Sequence, residues 1–375
     1  MKILSISTDR HILSQNSSVS KRQIDYGSLF GEVNIIVFSL KKHHPAKDFS
    51  LSENVHVYPT NSRNKIMFIF DGLKIGTKIM KEKKIDIITA QNPFETSIVG
   101  YRLSKKFKSK FNVQLHTDPF AEYFTKSDFF HHMRILMGKY YLKKAGTIRV
   151  VSKRIKDGVL NILKDSNAKI SVLPIYVDID QIVNKKPEFN LHERFPQFDT
   201  IVLMLSRLEP EKNIPMGINA FKEVVEKYPK TGLIIIGKGS QLNKLEYLVT
   251  KNNLEKNVHF LGWVEDVISA FKTSDIFLLT SDFEGYAMTL VEAASSGVPI
   301  ISTDVGLVDD VLPKNEGLLV IKPRDDKALS ETLMNLVWDK ELRLELSEKA
   351  FNFIQKKVKI EKEDYLRRYY ESIVG

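Results

Sequence analysis

Residues 276–306 read IFLLTSDFEGYAMTLVEAASSGVPIISTDVG. Ile276-Phe277-Leu278-Leu279 is a short, wholly apolar run of the kind shown by a strand buried on both faces, and Ile300-Ile301 begins another. Between them lies a helix. Gly297, with Pro299 two residues on, marks its end, and the small and polar residues around Ala287 to Thr289 mark its start. The order strand, loop, helix, strand is a building block of an α/β sheet.

Glu284 and Glu292 lie eight residues apart in this unit. On one continuous helix they would stand roughly 80° apart in azimuth and about 12 Å apart along the axis, too far to share a target. With Glu284 in the loop and Glu292 on the helix, both can face the crevice at the carboxyl end of the sheet, where open α/β sheets bind ligands. The free amides of a helix start favour an anion and a carboxylate favours a hydroxyl. A molecule with phosphate in the middle and sugars on either side, a nucleotide-sugar, has that layout.

The run Glu284-x7-Glu292, followed by Ala293-Ala294, Gly297-Val298-Pro299-Ile300-Ile301 and Thr303-Asp304-Val305-Gly306, resembles the retaining GT-B glycosyltransferases of glycosyltransferase family 4, also called glycosyl transferases group 1. A bare E-x7-E is weak; the whole run with its flanking strands is specific. The resemblance implies an α/β fold of the GT-B type, two Rossmann-like domains facing across a cleft. It also implies that Glu292 takes the ribose hydroxyls and Glu284 those of the transferred sugar, with Gly285, Ala287, Met288 and Thr289 lining the donor site.

At 375 residues, two domains are expected, because single cores rarely keep growing to this length. With 43% hydrophobic and 27% charged residues and no apolar run of membrane-spanning length, the composition is that of a soluble protein. The opening MKILSISTDR reads as a short strand, not a signal peptide. Having no cysteine, the chain has neither a disulfide frame nor a thiolate metal site, and cytoplasm is the simplest address. Residues 1–180 hold 30 Lys and Arg against 16 Asp and Glu, so the first half carries the whole net charge of +10. Basic surface attracts phosphate, whether of a nucleotide, an anionic lipid or nucleic acid.

Lys2 to Ser7 and Val33 to Phe38 read as strands around a helix from about Ser20 to Phe30. The loop after the first strand lacks the Gly-Gly pair usual in the family; Asp9, Arg10, Ser17, Ser18 and Lys21 are its polar groups. A helix from Asn61 to Lys83 and a strand from Ile85 to Ala90 follow, and Gln91 and Asn92 at the strand end are candidate acceptor or sugar contacts. Helix Glu95 to Phe107 leads into Arg102, Lys105, Lys106, Lys108 and Lys110 interleaved with Tyr101, Leu103, Phe107 and Phe111. That run is either a solvated helix face or a membrane-surface patch, and the basic, aromatic helix Phe129 to Lys144 adds weight to the second alternative. Strand Phe111 to His116 ends in His116-Thr117-Asp118, and the resemblance puts His116 at the position facing the donor sugar. The pair His131-His132 has no third ligand at metal spacing.

Strand Thr147 to Ser152 leads into a helix ending near Lys164, and Ile170 to Pro174 precedes Val177-Asp178, where the family changes domain. The polar residues from about Asp180 to Gln197, with Pro187 and Pro196, read as a linker. The expected domains are therefore 1–180, 181–358, and a terminal helix, 359–375, that by resemblance crosses back to the first. Strand Thr200 to Ser206 runs into Arg207-Leu208-Glu209-Pro210-Glu211-Lys212-Asn213, which resembles the family motif G-R-x-x-x-E-K-[GN] with Ser206 in place of glycine. Arg207 and Lys212 are spaced so that a guanidinium and an ammonium can reach one diphosphate. By resemblance, Gly237 in Gly237-Lys238-Gly239-Ser240 brings backbone toward the nucleotide, and Val264 lies in the region around the base.

The function expected is transfer of a sugar from a nucleotide-sugar donor to a glycan or lipid-linked acceptor, with retention of configuration and without a metal or other cofactor. Glu284, Arg207, Lys212 and His116 are the candidate catalytic residues. The departing nucleoside diphosphate would be met by Arg207, Lys212 and the amides at Ala287 to Thr289. An anionic membrane surface is a further expected partner and nucleic acid is not, since no recognition motif accompanies the charge. A cytoplasmic protein, peripheral on the inner face of a membrane, fits these partners. The competing hypothesis is a non-catalytic nucleotide-sugar-binding or membrane-surface scaffold protein of the same fold; a nucleotide-sugar 2-epimerase lacks support because its usual histidine and carboxylates are not seen.

Overall fold

The computed structural model describes residues 1–42, 47–117, 129–163, 168–306, 308, 310, 312–314 and 317–375, so Asp118 and the helix end expected near Lys164 fall outside them. The chain divides into two compact units, Met1–Pro174 with Glu361–Gly375, and Ile175–Ile360.

The first unit is built on β1 (Lys2–Ser7), β2 (Glu32–Val37), β3 (Phe49–Ser52), β4 (Val55–Pro59), β5 (Ile87–Ala90), β6 (Lys110–Leu115), β7 (Thr147–Val150) and β8 (Lys169–Val172). They lie in the order β3-β4-β2-β1-β5-β6-β7-β8, parallel except for the β3–β4 hairpin. The chain winds outward from β1 and then returns to lay β5 on the other side of β1, which makes their carboxyl ends a topological switch point. Neither β3 nor β4 was expected from the sequence. Val55 and Val57 alternate inward with His56 and Tyr58 half-exposed, a short period-two signal, while β3, FSLS, is only four residues long and pairs through a register shift. The helix expected from Asn61 starts only at Met67, because Asn61 takes a left-handed φ of 46° and Asn64 accepts from the Met67 amide at 3.1 Å.

Helix Lys362–Val374 packs in this first unit. Tyr369 stacks on Tyr26 with ring centroids 3.8 Å apart, and Thr147 donates to the Ile373 carbonyl at 3.1 Å. At the centre lies Arg149, only 1% exposed. Its guanidinium donates to the Leu173 and Pro174 carbonyls at 3.1 and 2.8 Å, to Gln114 Oε1 at 2.8 Å and to the Tyr365 hydroxyl at 3.1 Å. The charge is dispersed over neutral acceptors and the Tyr369 ring, 5.1 Å away.

The second unit has a six-stranded, all-parallel sheet in the order β11-β10-β9-β12-β13-β14. Its strands are β9 (Thr200–Leu205), β10 (Thr231–Ile236), β11 (Val258–Gly262), β12 (Ile276–Leu279), β13 (Ile300–Thr303) and β14 (Leu318–Ile321). TIVLML, TGLIII and IFLL are apolar along nearly their whole length because helices cover both faces, and Val202, Leu278 and Ile301 meet Ile218, Phe221 and Leu333 in one core. Full burial of each large apolar side chain contributes about 1.5–3 kcal/mol. The switch point here falls between β9 and β12.

The stretch expected to be a linker is folded into this unit. Asp178 caps helix Ile179–Asn184 and Asn190 caps helix Leu191–Arg194, each through its carboxylate or amide oxygen. Lys272 donates to the Val183 and Lys185 carbonyls at 2.8 and 2.6 Å, and Ile179, Ile182, Leu191 and Phe198 are buried. These contacts place the boundary at Pro174, ahead of the 180 anticipated. Sparse apolar residues among polar ones conceal elements this short.

Candidate active site

Two loops meet at the β9/β12 switch point. The first leaves β9 at Ser206 and makes a 3-10 turn, Pro210–Lys212, closed by Asn213 in the left-handed region at φ 44°. Asparagine tolerates that conformation, and Pro215 then starts helix Ile214–Lys227. The turn aims Lys212 at the second loop, which leaves β12 at Thr280. Thr280 donates to the Lys212 and Asn213 carbonyls at 3.1 and 2.9 Å, Asn213 donates to Asp282 at 3.0 Å, and the Asp282 amide donates to the Glu211 carbonyl at 2.8 Å. The loops are thereby joined into one rigid pair.

Glu284 sits in the second loop, as anticipated, and accepts from Lys212 Nζ at 2.6 Å and from the Ser281 hydroxyl at 2.7 Å. The side chains of Lys212 and Glu284 are each 13% exposed, so their ion pair is only partly screened by water. Gly285, Tyr286 and Ala287 carry the chain into helix Met288–Ser295. Ala287 takes φ 57°, ψ 63°, unusual for a residue with a Cβ, and no side chain caps the helix. The amides that begin at Met288 and Thr289 therefore form an anion-favouring end with no competing side-chain acceptor. Gly306, at φ 59°, closes beneath the loop; a Cβ there would stand 3.0 Å from Ala287 Cβ and 3.1 Å from Glu284 Cβ.

Glu292 lies one turn into the helix and is half-buried. Desolvation raises its carboxyl pKa to about 7. Among the described residues it has no ion pair or hydrogen-bond partner in its side chain. Such a group gains most when a ligand hydroxyl supplies what the protein does not.

Arg207 and Lys212 each have a carboxylate partner of their own. Arg207 is 68% exposed and pairs with Glu211 at 2.8 Å, while Lys212 is committed to Glu284. The glycine loop packs on the Arg207 loop: Leu208 donates to the Lys238 carbonyl at 3.0 Å, and Ser240 donates to Glu209 through its amide and its hydroxyl at 3.1 and 2.7 Å. A Cβ at Gly237 would lie 1.8 Å from the Ser206 carbonyl oxygen, so this glycine permits loop-to-loop contact. Val264 is half-buried beyond β11, next to the exposed Trp263.

His116 belongs to the first unit, at the end of β6, where its Nε2 meets Gln91 Oε1 at 2.7 Å. Desolvation, then the Arg149 and Arg22 charges, push its pKa down to about 3. The ring is neutral, and an acceptor at Nε2 leaves Nδ1 without the proton. Sequence spacing did not single out Ser281, Thr280 or Asn213 as supports of the site; only the adjacency of β9 and β12 brings them together. Among the described residues no three His, Asp or Glu side chains gather as metal ligands.

Residues 186–353, which contain both loops and the helix that carries Glu292, match the family Glycosyl transferases group 1. The second unit carries a glycosyltransferase domain. An uncharacterized glycosyltransferase of Methanocaldococcus jannaschii is 31% identical over 263 residues, covering 67% of this chain and 64% of that one. The UDP-Gal:alpha-D-GlcNAc-diphosphoundecaprenol alpha-1,3-galactosyltransferase of Escherichia coli is 28% identical over 325 residues, 84% of this chain and 82% of that one. Among solved structures, Anabaena HepE in complex with UDP and glucose superposes with a TM-score of 0.79 at 16% identity, over 100% of this chain and 99% of that one. That likeness establishes the fold: two parallel-sheet, Rossmann-like units of the GT-B type. The glycosyltransferase domain places its matched loops at the carboxyl ends of β9, β10 and β12.

Proposed function

We propose that the chain is a metal-independent, retaining glycosyltransferase that moves a sugar from a nucleotide-sugar, most simply a UDP-sugar, to a glycan or lipid-linked acceptor. The observation that carries this is the Lys212–Glu284 pair beside an uncapped helix start. An arriving diphosphate competes for Lys212, which frees Glu284 for the hydroxyls of the transferred sugar. Arg207, already solvent-facing, and the amides at Ala287 to Thr289 add positive potential where the leaving diphosphate gains charge. Glu292 takes the ribose hydroxyls. Retention is proposed on the resemblance to family 4: the acceptor hydroxyl attacks from the face the diphosphate leaves, and that phosphate takes its proton. His116 and Gln91 are proposed, on the resemblance, as sugar-binding residues of the first unit. UDP appears in the names of the Escherichia coli relative and the Anabaena complex, and the former acts on a diphosphoundecaprenol-linked sugar, which favours a uridine donor and a lipid-linked acceptor.

A thermal-shift comparison of UDP, GDP and ADP, followed by turnover of the matching sugars, tests the proposal. A nucleotide present at a hundredfold excess over its dissociation constant should stabilise the protein by about 2.7 kcal/mol. Glu284→Gln should retain that stabilisation and lose transfer. Binding without turnover in the unaltered protein would instead establish the scaffold alternative. The proposed location is cytoplasmic and peripheral to the membrane's inner face. Among the described residues no helix is long and apolar enough to cross a membrane.

A further inference from the structure

Helix Phe129–Leu142 is mostly apolar but also carries His131, His132, Arg134 and Lys139. Among the described residues only one side of it is buried. Ile135 and Leu142 enter the core of the first unit, whereas Met133, Leu136 and Tyr140, which share a face at helical spacing, are 54%, 64% and 51% exposed. Next to this stripe are Lys139 on the helix and Lys143 and Lys144 in the turn that follows it, and Arg102, Lys105 and Lys106 belong to helix Glu95–Phe107 packed against it. Residues 129–144 contain no Asp or Glu, and the one carboxylate on the neighbouring helix, Glu95, is held by Arg134 through two contacts of 3.0 Å. Among the described residues none of the six cations makes an ion pair.

Between the helices lies a groove of about 600 Å³ lined by Tyr101, Arg102, Lys105, Lys106, Tyr140 and Tyr141. Its tyrosines pack edge to face, Tyr101 on Tyr141 at 5.7 Å and Tyr140 on Tyr141 at 5.1 Å. The floor is thus aromatic and the rim cationic.

We propose that this face docks on an anionic phospholipid bilayer, with Met133, Leu136 and Tyr140 entering the headgroup and acyl boundary and a lipid phosphate seated in the groove against Arg102, Lys105 and Lys106. It rests on the membrane-peripheral location just proposed and assigns the surface responsible. A nucleic acid would satisfy the cations and leave Met133 and Leu136 in water; a bilayer covers both. Tyrosine suits the boundary, since its ring is apolar and its hydroxyl wet.

Flotation with vesicles of phosphatidylcholine, alone or mixed with phosphatidylglycerol, tests the assignment in the full chain. The protein should float with the mixed vesicles only, and added salt should release it. The double variant Lys105→Ala, Lys106→Ala should bind them about 25-fold more weakly, at roughly fivefold per lysine. Leu136→Ser should weaken binding without altering its salt dependence. Stabilisation by UDP should be unchanged in all variants, so that failure here is distinguishable from failure of the donor site. Equal flotation with neutral vesicles, unaltered flotation of both variants, no flotation at all, or preference for a DNA duplex over the mixed vesicles would each overturn it.

Discussion

Arg149 and Lys212 are two cations removed from bulk water in opposite ways. Arg149 is enclosed in the first unit and satisfied by carbonyls, an amide oxygen and a tyrosine hydroxyl, none of which can leave. Lys212 keeps 13% of its side chain exposed and holds a single carboxylate, Glu284, at the mouth of the second sheet. A guanidinium spread over fixed dipoles is part of the scaffold. An ammonium paired to one carboxylate at a site mouth can exchange that partner for a ligand anion.

The comparison is most directly broken by Arg149→Ala, which strips the donors from four buried or half-buried groups around helix Lys362–Val374. Urea unfolding should show a loss of ~3–5 kcal/mol, and Arg149→Lys should recover little because an ammonium lacks the fork. A stable Arg149→Ala would place this residue in the same class as Lys212. Lys212→Ala should behave oppositely, lowering transfer by about 10²–10³-fold while stability changes by less than ~1 kcal/mol. A collapse of its fold would make the pair structural.

Glu292 sharpens the contrast through pH. Its carboxyl ionises near the ordinary 4.5 when unfolded and at about 7 when folded. The folded protein therefore retains a proton that the unfolded chain has lost, and this contribution to stability is complete below pH 4.5, declines up to pH 7 and is absent above. The total is at most ~3 kcal/mol, and the difference between the parent and Glu292→Gln in unfolding experiments across that window should trace it. A flat difference would mean that water reaches the carboxyl. The smallest effect is expected at Gly306→Ala, where φ 59° and the contacts near 3 Å with Ala287 and Glu284 predict ~1–2 kcal/mol of destabilisation and weaker UDP binding. Unchanged binding would separate Gly306 from the site.

Most β-strands were legible because buried parallel strands announce themselves as continuous apolar runs: Ile276 to Leu279 and Thr200 to Leu205 needed no context. The helix end with a chemical marker, Gly297 before Pro299, was legible for the same reason. The hairpin at 49–59 and the short helices between Ile179 and Arg194 were not, since their stability comes from what they pack on. In the site, Glu284, Glu292 and Lys212 were found from spacing and resemblance. Arg149 was missed, for an arginine in TIRV looks like any polar residue on a strand until the strands on both sides and the terminal helix are in place.

By itself the order of residues determined most of the strands and long helices, where the uncapped helix begins, and which charged groups lie near its ends, all of which depend on neighbours a few positions away. Tertiary structure decided that Lys212 meets Glu284 across 72 positions of chain and that one face of helix Phe129–Leu142 stays uncovered. Those outcomes depend on which strands become neighbours, and strand order follows from the packing of whole layers, a property no local window contains.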